Sequence, residues 1–156
     1  MKNDKKLIDR FNVRVYGIII QKNKIMLVKE NLNGFEFTKF PGGGLEYGEG
    51  LIDGLKREIK EELNLSIKII KHFYTTDFFQ RSKFFKNEQI ISVYFLIKII
   101  DNIKNITFPY ETFQGEKHKL TFFWLELENL NNNKFTFPID KKVAKMIIKQ
   151  TRNNKN

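Results

Sequence analysis

The order in which apolar and polar positions alternate, run together and space out along the chain predicts most of its elements. Residues 11–20 (FNVRVYGIII) alternate at first and then turn continuously apolar, the pattern of a strand entering a buried interior. The polar QKNK of residues 21–24 predicts a turn, and residues 25–28 a second strand paired to the first as a hairpin. Residues 30–36 read as a polar loop. Residues 37–40 read as a short strand that Pro41 keeps extended, leading to Gly42, Gly43 and Gly44 and a loop that ends at Gly50. From Leu51 the period changes: Leu51, Leu55, Ile59 and Leu63 fall at the spacing of a buried helical stripe, with Lys56 and Lys60 on the solvent side. Gly54 lies within that helix at a cost of about 0.5–1 kcal/mol relative to alanine, which points to close packing of the helix backbone against a sheet.

Downstream, residues 66–79 predict a long strand or a pair of strands, and residues 80–87 an exposed basic loop. Residues 88–100 (EQIISVYFLIKII) form the clearest strand in the chain. Residues 106–112 are ambiguous, with Pro109 arguing against a central strand. Residues 119–125 read as a strand, 125–130 as a short turn or helix, and Pro138 opens a terminal helix over 139–150. These elements make a single domain over 11–150, with a flexible segment at 1–10 and a frayed tail at 151–156. Strands around one central helix, with a second helix at the end, add up to an α/β sandwich.

Candidate chemistry enters with three glutamates. Glu58, Glu61 and Glu62 sit three and four residues apart in one helical turn, so their side chains share a face. Like charges at that spacing repel, each pair costing about 0.2–0.5 kcal/mol of helix stability. A solvated acidic face is the plain reading of such a run. Two features favour a bound cation instead. The glycines just ahead let bare backbone approach a ligand, and the acidic turn is concentrated in a chain whose net charge is +10. Hard divalent cations such as Mg2+ take oxygen ligands from a few carboxylates together with substrate phosphates.

The stretch resembles the Nudix box, the signature of the Nudix hydrolase family: Gly43, five residues, Glu49, seven residues, then Arg57, Glu58, Ile59, Glu61, Glu62 and Leu65. The final glycine of the pattern is replaced by Asn64, a residue that enters left-handed backbone at little cost and so still closes a helix. The resemblance implies an alpha-beta-alpha sandwich with a mixed central sheet and a loop-helix-loop carrying the box. It implies Mg2+, with Mn2+ as a substitute, held by Glu58, Glu61 and Glu62 and by the Gly42 carbonyl, Glu62 being the most consistent ligand. Arg57 and Glu49 are implied as the network that organises these glutamates; a solvent-facing ion pair worth under about 1 kcal/mol is the plain alternative. The general base stays open between Glu58 and a loop glutamate outside the box, namely Glu88, Glu111 or Glu116. Of these, Glu116 lies where acidic residues assist in the family.

The implied reaction is hydrolysis of the pyrophosphate linkage in a nucleoside diphosphate derivative. A small free nucleotide, either a nucleoside triphosphate or a nucleotide sugar, is the leading substrate. The 5′ end of an RNA is the alternative, followed by a non-catalytic nucleotide-binding module. Family relatives include dimers, so a homodimer is carried as an expectation. Gly43 and Gly44 are placed to cradle phosphates, and Lys39 to reach one or simply to lie on the surface. Phe37 and Phe79, with Phe35 and Phe78 beside them, are candidates for stacking on a nucleobase, although most of the 16 phenylalanines must serve the core. His72 and His118 are isolated and read as structural.

Composition narrows the remaining choices. At 156 residues and 41% hydrophobic the chain can bury a core of its own. The absence of cysteine excludes disulfides, thiolate metal sites and cysteine nucleophiles, and fits a cytoplasmic protein. Lysines interrupt every apolar run before it reaches the length of a membrane span, which argues against a membrane partner. The first ten residues are basic but lack the apolar stretch of a signal peptide. The positive charge attracts polyanions, yet its lysines are spread along the chain. Arg10 and Arg14, with Lys5 and Lys6, form only a small N-terminal cluster.

Overall fold

The computed structural model describes residues 7–154. In chain order they form β1 (Arg10–Gln21), β2 (Lys24–Leu32), β3 (Phe35–Lys39), β4 (Gly42–Gly44), α1 (Leu51–Leu63), β5 (Ile67–Thr75), β6 (Glu88–Ile99), β7 (Tyr110–Phe113), β8 (His118–Glu126) and α2 (Pro138–Asn153). The strands make one mixed sheet of eight, in the order β5-β6-β1-β2-β8-β7, with β3 added to β2 and β4 to β1. β1 and β6 run parallel over a long register, from Arg10↔Glu88 to Ile19↔Ile97. The other pairings are antiparallel. No helix among the described residues is long and apolar enough to cross a membrane.

The continuous apolar run in β1 arises because both faces of the sheet are covered. Successive side chains point to opposite faces. Val15 and Ile19, with Met26 and Val28, pack beneath Leu55, Ile59 and Leu63 of α1. Tyr16 and Ile18, with Ile25 and Leu27, meet Ile139, Val143, Ala144 and Ile147 of α2. Each fully buried branched side chain contributes about 1.5–3 kcal/mol, so the two layers pin α1 and α2 to opposite sides of β1. This is the expected alpha-beta-alpha sandwich. Asn64 ends α1 at φ 54° and ψ 34°, its N–H bonded to the Lys60 carbonyl, so the asparagine does close the helix in left-handed backbone.

Several local expectations are corrected. Residues 30–36 are not a loop: β2 and β3 continue to a two-residue turn, Asn33-Gly34, with φ of 51° and 86°. Both positions need positive φ, which an Asn-Gly pair supplies and which makes it a strong hairpin signal. The glycines form a strand, with Gly42–Gly44 paired to Arg14–Tyr16 of β1. The basic segment 80–87 is exposed at 83–86, as expected, but Ser82 is buried and Phe84 packs one side on Phe35 and Phe37. Gly54 is small because a Cβ there would stand 2.6 Å from Leu45 Cδ1 and 2.9 Å from Glu49 Oε1, so the loop crowds it rather than the sheet. The ambiguous segment contributes β7, an edge strand that starts immediately after Pro109. α2 continues through Thr151 to Asn153, and β1 takes in Arg10 from the segment expected to be flexible. Residues 1–6 of that segment lie outside the described residues, as do the last two residues of the tail.

Candidate active site

Arg57 is the hub of the first half of the site. Its Nε donates to Glu49 Oε2 at 3.0 Å and its Nη2 to Glu49 Oε1 at 2.6 Å, a forked pair that ties the glycine-side loop to α1. Nη2 also donates to the Gly44 carbonyl at 2.9 Å, and Nη1 to Glu58 Oε1 at 3.1 Å and Glu61 Oε2 at 3.3 Å. The hydrogen bonds from Arg57, with another from the Glu46 N–H, lower the Glu49 pKa to about 2. One guanidinium therefore offsets the repulsion that the acidic turn carries by itself.

The carboxylates it leaves behind face β4. The Glu58 carboxyl group lies against bare backbone: a Cβ on Gly43 would sit 2.5–2.7 Å from its atoms. Glu62 is buried, only 5% exposed, and its Oε2 has no hydrogen-bond partner among the described residues. Its Oε1 accepts a long bond, 3.4 Å, from Gln114 Nε2 in the turn between β7 and β8. Burial raises the Glu62 pKa to about 8; Lys39 relieves part of this, while Glu58 and Glu30 add to it. Glu61 behaves differently, lying half exposed at the rim against Arg57.

Among the described residues no three acidic or histidine side chains are gathered closely enough to hold a metal ion unaided. The Glu58 carboxyl lies against the glycine strand and Glu62 is buried nearby, while Glu61 stands half exposed against Arg57. A partnerless buried carboxylate oxygen and a second carboxylate on bare backbone fit a hard divalent cation that keeps water and substrate phosphate as its other ligands. Glu58, Glu62 and the Gly42 carbonyl are the groups that would hold it. Lys39 Nζ donates to that carbonyl at 3.1 Å, leaving its second lone pair open.

Beside this cluster lies a cavity of about 510 Å³. Its floor is one face of β1, with Asn12, Arg14 and Tyr16 at alternate positions. Its aromatic wall is built on Phe37, whose ring centroid lies 5.2 Å from that of Phe137 and 5.8 Å from that of Phe84. Two polar groups stand among these rings. Asp140, in the first turn of α2, is buried and accepts a 2.6 Å hydrogen bond from Tyr94. Burial raises its pKa to about 6 despite that bond. Gln80 Oε1 is buried and has no hydrogen-bond partner among the described residues.

Lys39 joins cavity and cluster. Its Nζ is 2.7 Å from Glu30 Oε2, both side chains are buried, and Glu30 Oε1 lies 2.5 Å from His118 Nε2. Burial works against both charges of the Lys39–Glu30 pair, yet their mutual attraction prevails: Lys39 is shifted up and Glu30 down.

The other sequence candidates are distributed as follows. Phe37 lines the cavity and Phe35 packs beside it. Phe79 is exposed and does not line the cavity. Phe78 lies under the Lys142 ammonium. Glu116 is exposed in the β7–β8 turn, and Gln114 of that turn is the residue bonded to Glu62. Glu111 pairs with Lys119 at 3.0 Å on the surface. Glu88 is buried at the cavity, bonded by Asn12 Nδ2 at 3.1 Å and paired with Arg10 at 3.6 Å. His72 bonds Thr75 on an exposed edge. Sequence alone assigns no site role to Glu30, Gln80, Gln114 or Asp140, and places Arg14 only in a small basic cluster. For Arg14 a signal existed: alternation in NVRVY puts it on the same face as Asn12 and Tyr16, opposite Val13 and Val15.

Fold and site together define a member of the NUDIX family, and the chain belongs to it: the NUDIX domain matches residues 10–146. Among curated relatives, the chain is 41% identical over 68 residues to an 8-oxo-dGTP diphosphatase of Buchnera aphidicola, a match covering 38% of this chain and 52% of that protein. It is 45% identical over 58 residues to an ADP-ribose pyrophosphatase of Methanocaldococcus jannaschii, covering 36% and 34% respectively. The matches therefore span about half of one relative's length and a third of the other's. Among solved structures, a MutT protein from Methanosarcina mazei superposes with a TM-score of 0.65 at 18% identity, covering 95% of this chain and 98% of that one.

Proposed function

We propose that the protein is a Mg2+-dependent pyrophosphohydrolase that cleaves the pyrophosphate linkage of a nucleoside diphosphate derivative, with a free nucleoside triphosphate as the leading substrate. The observation that carries this reading is the buried Glu62 Oε2, which has no hydrogen-bond partner among the described residues, on the helix whose Glu58 lies against the bare glycine strand. A carboxylate in that position is unfavourable until a cation meets it. A bound divalent cation polarises phosphoryl oxygens and makes a hydroxide-like nucleophile available at neutral pH. The chain's own residues do the rest. Arg57 fixes Glu58 through Oε1, leaving Oε2 either to ligate or to accept the proton of the attacking water. Gly43 and Gly44 let phosphates approach the backbone, and the phenylalanine wall takes the base. The similarity to an 8-oxo-dGTP diphosphatase and an ADP-ribose pyrophosphatase supports both the reaction type and the nucleotide class.

The test is a hydrolysis panel with Mg2+ or Mn2+ over ordinary and 8-oxo triphosphates, nucleotide sugars, ADP-ribose and 5′-triphosphate RNA. The expected result is a nucleoside monophosphate plus pyrophosphate or a phosphorylated remainder from a small nucleotide. Turnover confined to RNA would overturn the substrate class, and no turnover in any arm would overturn the reading as a whole.

A further inference from the structure

Three cations border the glycine strand, and two are already engaged. Arg57 donates to Glu49, Glu58, Glu61 and the Gly44 carbonyl. Lys39 is held by Glu30 and the Gly42 carbonyl. Arg14 differs. Its Nε donates to the Tyr16 hydroxyl at 2.6 Å, and its other four N–H groups meet no acceptor among the described residues. No carboxylate of the described residues forms an ion pair with it, although Glu30 and Glu58 are near enough to stabilise its charge.

Arg14 is also placed where the two halves of the site join. It lines the cavity floor, and the register of β1 with β4 sets it opposite Gly44. A methyl group on Gly44 would stand 3.6 Å from Arg14 Nη1, so the missing side chain leaves the guanidinium open toward the glycine strand. A half-buried cation with no ion-paired carboxylate among the described residues is available to an incoming anion. Its planar fork matches two oxygens of a phosphate, and the Tyr16 bond fixes the direction in which that fork points.

We propose that Arg14 binds the phosphate attached to the nucleoside, the group that bridges the aromatic cavity and the carboxylates of α1, and that Tyr16 positions it. This assignment rests on the proposed function, because it takes the cavity to hold the nucleoside. It makes a 5′-phosphate, rather than the base alone, a main source of nucleotide affinity before any cation is present.

The experiment is calorimetric titration of the protein in EDTA with GMP, AMP and UMP and with the corresponding nucleosides. Wild type should bind at least one monophosphate about tenfold or more tightly than its nucleoside, the range of a charged hydrogen bond. R14Q should bring that ratio close to one with nucleoside affinity unchanged. In turnover assays it should raise KM far more than it lowers kcat. R14K keeps the charge but loses the fork and the Tyr16 contact; it should bind the monophosphate several-fold more weakly than wild type, which preserves the test should R14Q fail to fold. Wild type that does not distinguish monophosphate from nucleoside would overturn the assignment, as would R14Q or R14K with wild-type selectivity. An R14Q result of that kind alongside normal wild-type hydrolysis leaves the hydrolase reading intact. Wild type that selects the monophosphate, loses this in R14Q and hydrolyses nothing supports Arg14 and overturns the hydrolase reading instead.

Discussion

Replacing Glu62 with glutamine should make the metal-free protein more stable and abolish its catalysis. The carboxyl is moved from an ordinary pKa of 4.5 to about 8, burial being the main cause. Between those values the folded state keeps a proton that the unfolded chain has released. Stability from this group is therefore fully present below about pH 4.5 and is lost as pH rises toward 8. At pH 7 the loss is about 3 kcal/mol relative to acid, a large share of the roughly 5–15 kcal/mol that holds a domain together. Glutamine has the same shape and no proton to lose, and its Oε1 can still accept from Gln114. E62Q should therefore show a flatter pH profile between pH 5 and 8 in EDTA and exceed wild type at pH 7 by about 1–3 kcal/mol.

Urea denaturation followed by far-UV circular dichroism measures this directly. Repeating it with Mg2+ reads the other half of the argument. Wild type should gain stability as cation concentration rises, by about 2.7 kcal/mol at a hundred times its dissociation constant, and E62Q should gain far less. Turnover of E62Q should fall by orders of magnitude. Equal pH slopes for the two proteins in EDTA would refute the claim that Glu62 is an uncompensated buried acid. Equal responses to Mg2+ would refute its role as a ligand.

Two further outcomes follow from neighbouring residues. R57K cannot reproduce the forked bond to Glu49 while also reaching Gly44, Glu58 and Glu61, so it should lower activity or metal affinity by about 10–100-fold, read as a shift in the Mg2+ dependence of turnover. Asp140, whose pKa is raised to about 6 by burial, contributes stability present below about pH 4 and lost as pH rises through 6; D140N should remove about 3 kcal/mol of that pH dependence, measured as the difference between wild-type and mutant urea midpoints in EDTA across pH 4–7.

The parts of this molecule that sequence revealed are those fixed by short-range spacing. Helical period places Leu55, Ile59 and Leu63 on the sheet and Glu58 and Glu62 on one flank, and the interval from Glu49 to Arg57 brings loop and helix together. Glu61 shows where spacing stops being informative. It obeys the same pattern, yet it stands half exposed at the rim with Arg57 at 3.3 Å, an exposure that spacing alone does not give. The cavity was invisible for a different reason. Its residues come from β1, β3, segment 80–90 and the start of α2, and only the sheet order places Asn12, Phe37, Gln80 and Asp140 around one space. The Asn33-Gly34 turn is legible as a hairpin signal, although the polar run around it reads as a loop. Glu30 and Lys39 appear polar in sequence, yet they neutralise each other in the interior.

That internal pair explains why so basic a chain can leave one acid and one base unsatisfied in the same site. Arg57 ties Glu49, Glu58 and Glu61 together, and Lys39 pairs with Glu30 beside His118, so both cations are already engaged. They hold the glycine strand between α1 and the cavity. Glu62 on one side and Arg14 on the other are an acid and a base without an ion-pair partner among the described residues, with the glycine strand nearby. They do not form an ion pair with each other, so neither quenches the other. A nucleotide carrying a divalent cation presents a complementary arrangement, with positive charge for the carboxylate and a phosphate for the guanidinium. Electrostatic groups fixed before the ligand arrives need little reorganisation when charge develops on the phosphates. The stability forfeited at Glu62 is, on this view, the consequence of keeping that arrangement ready.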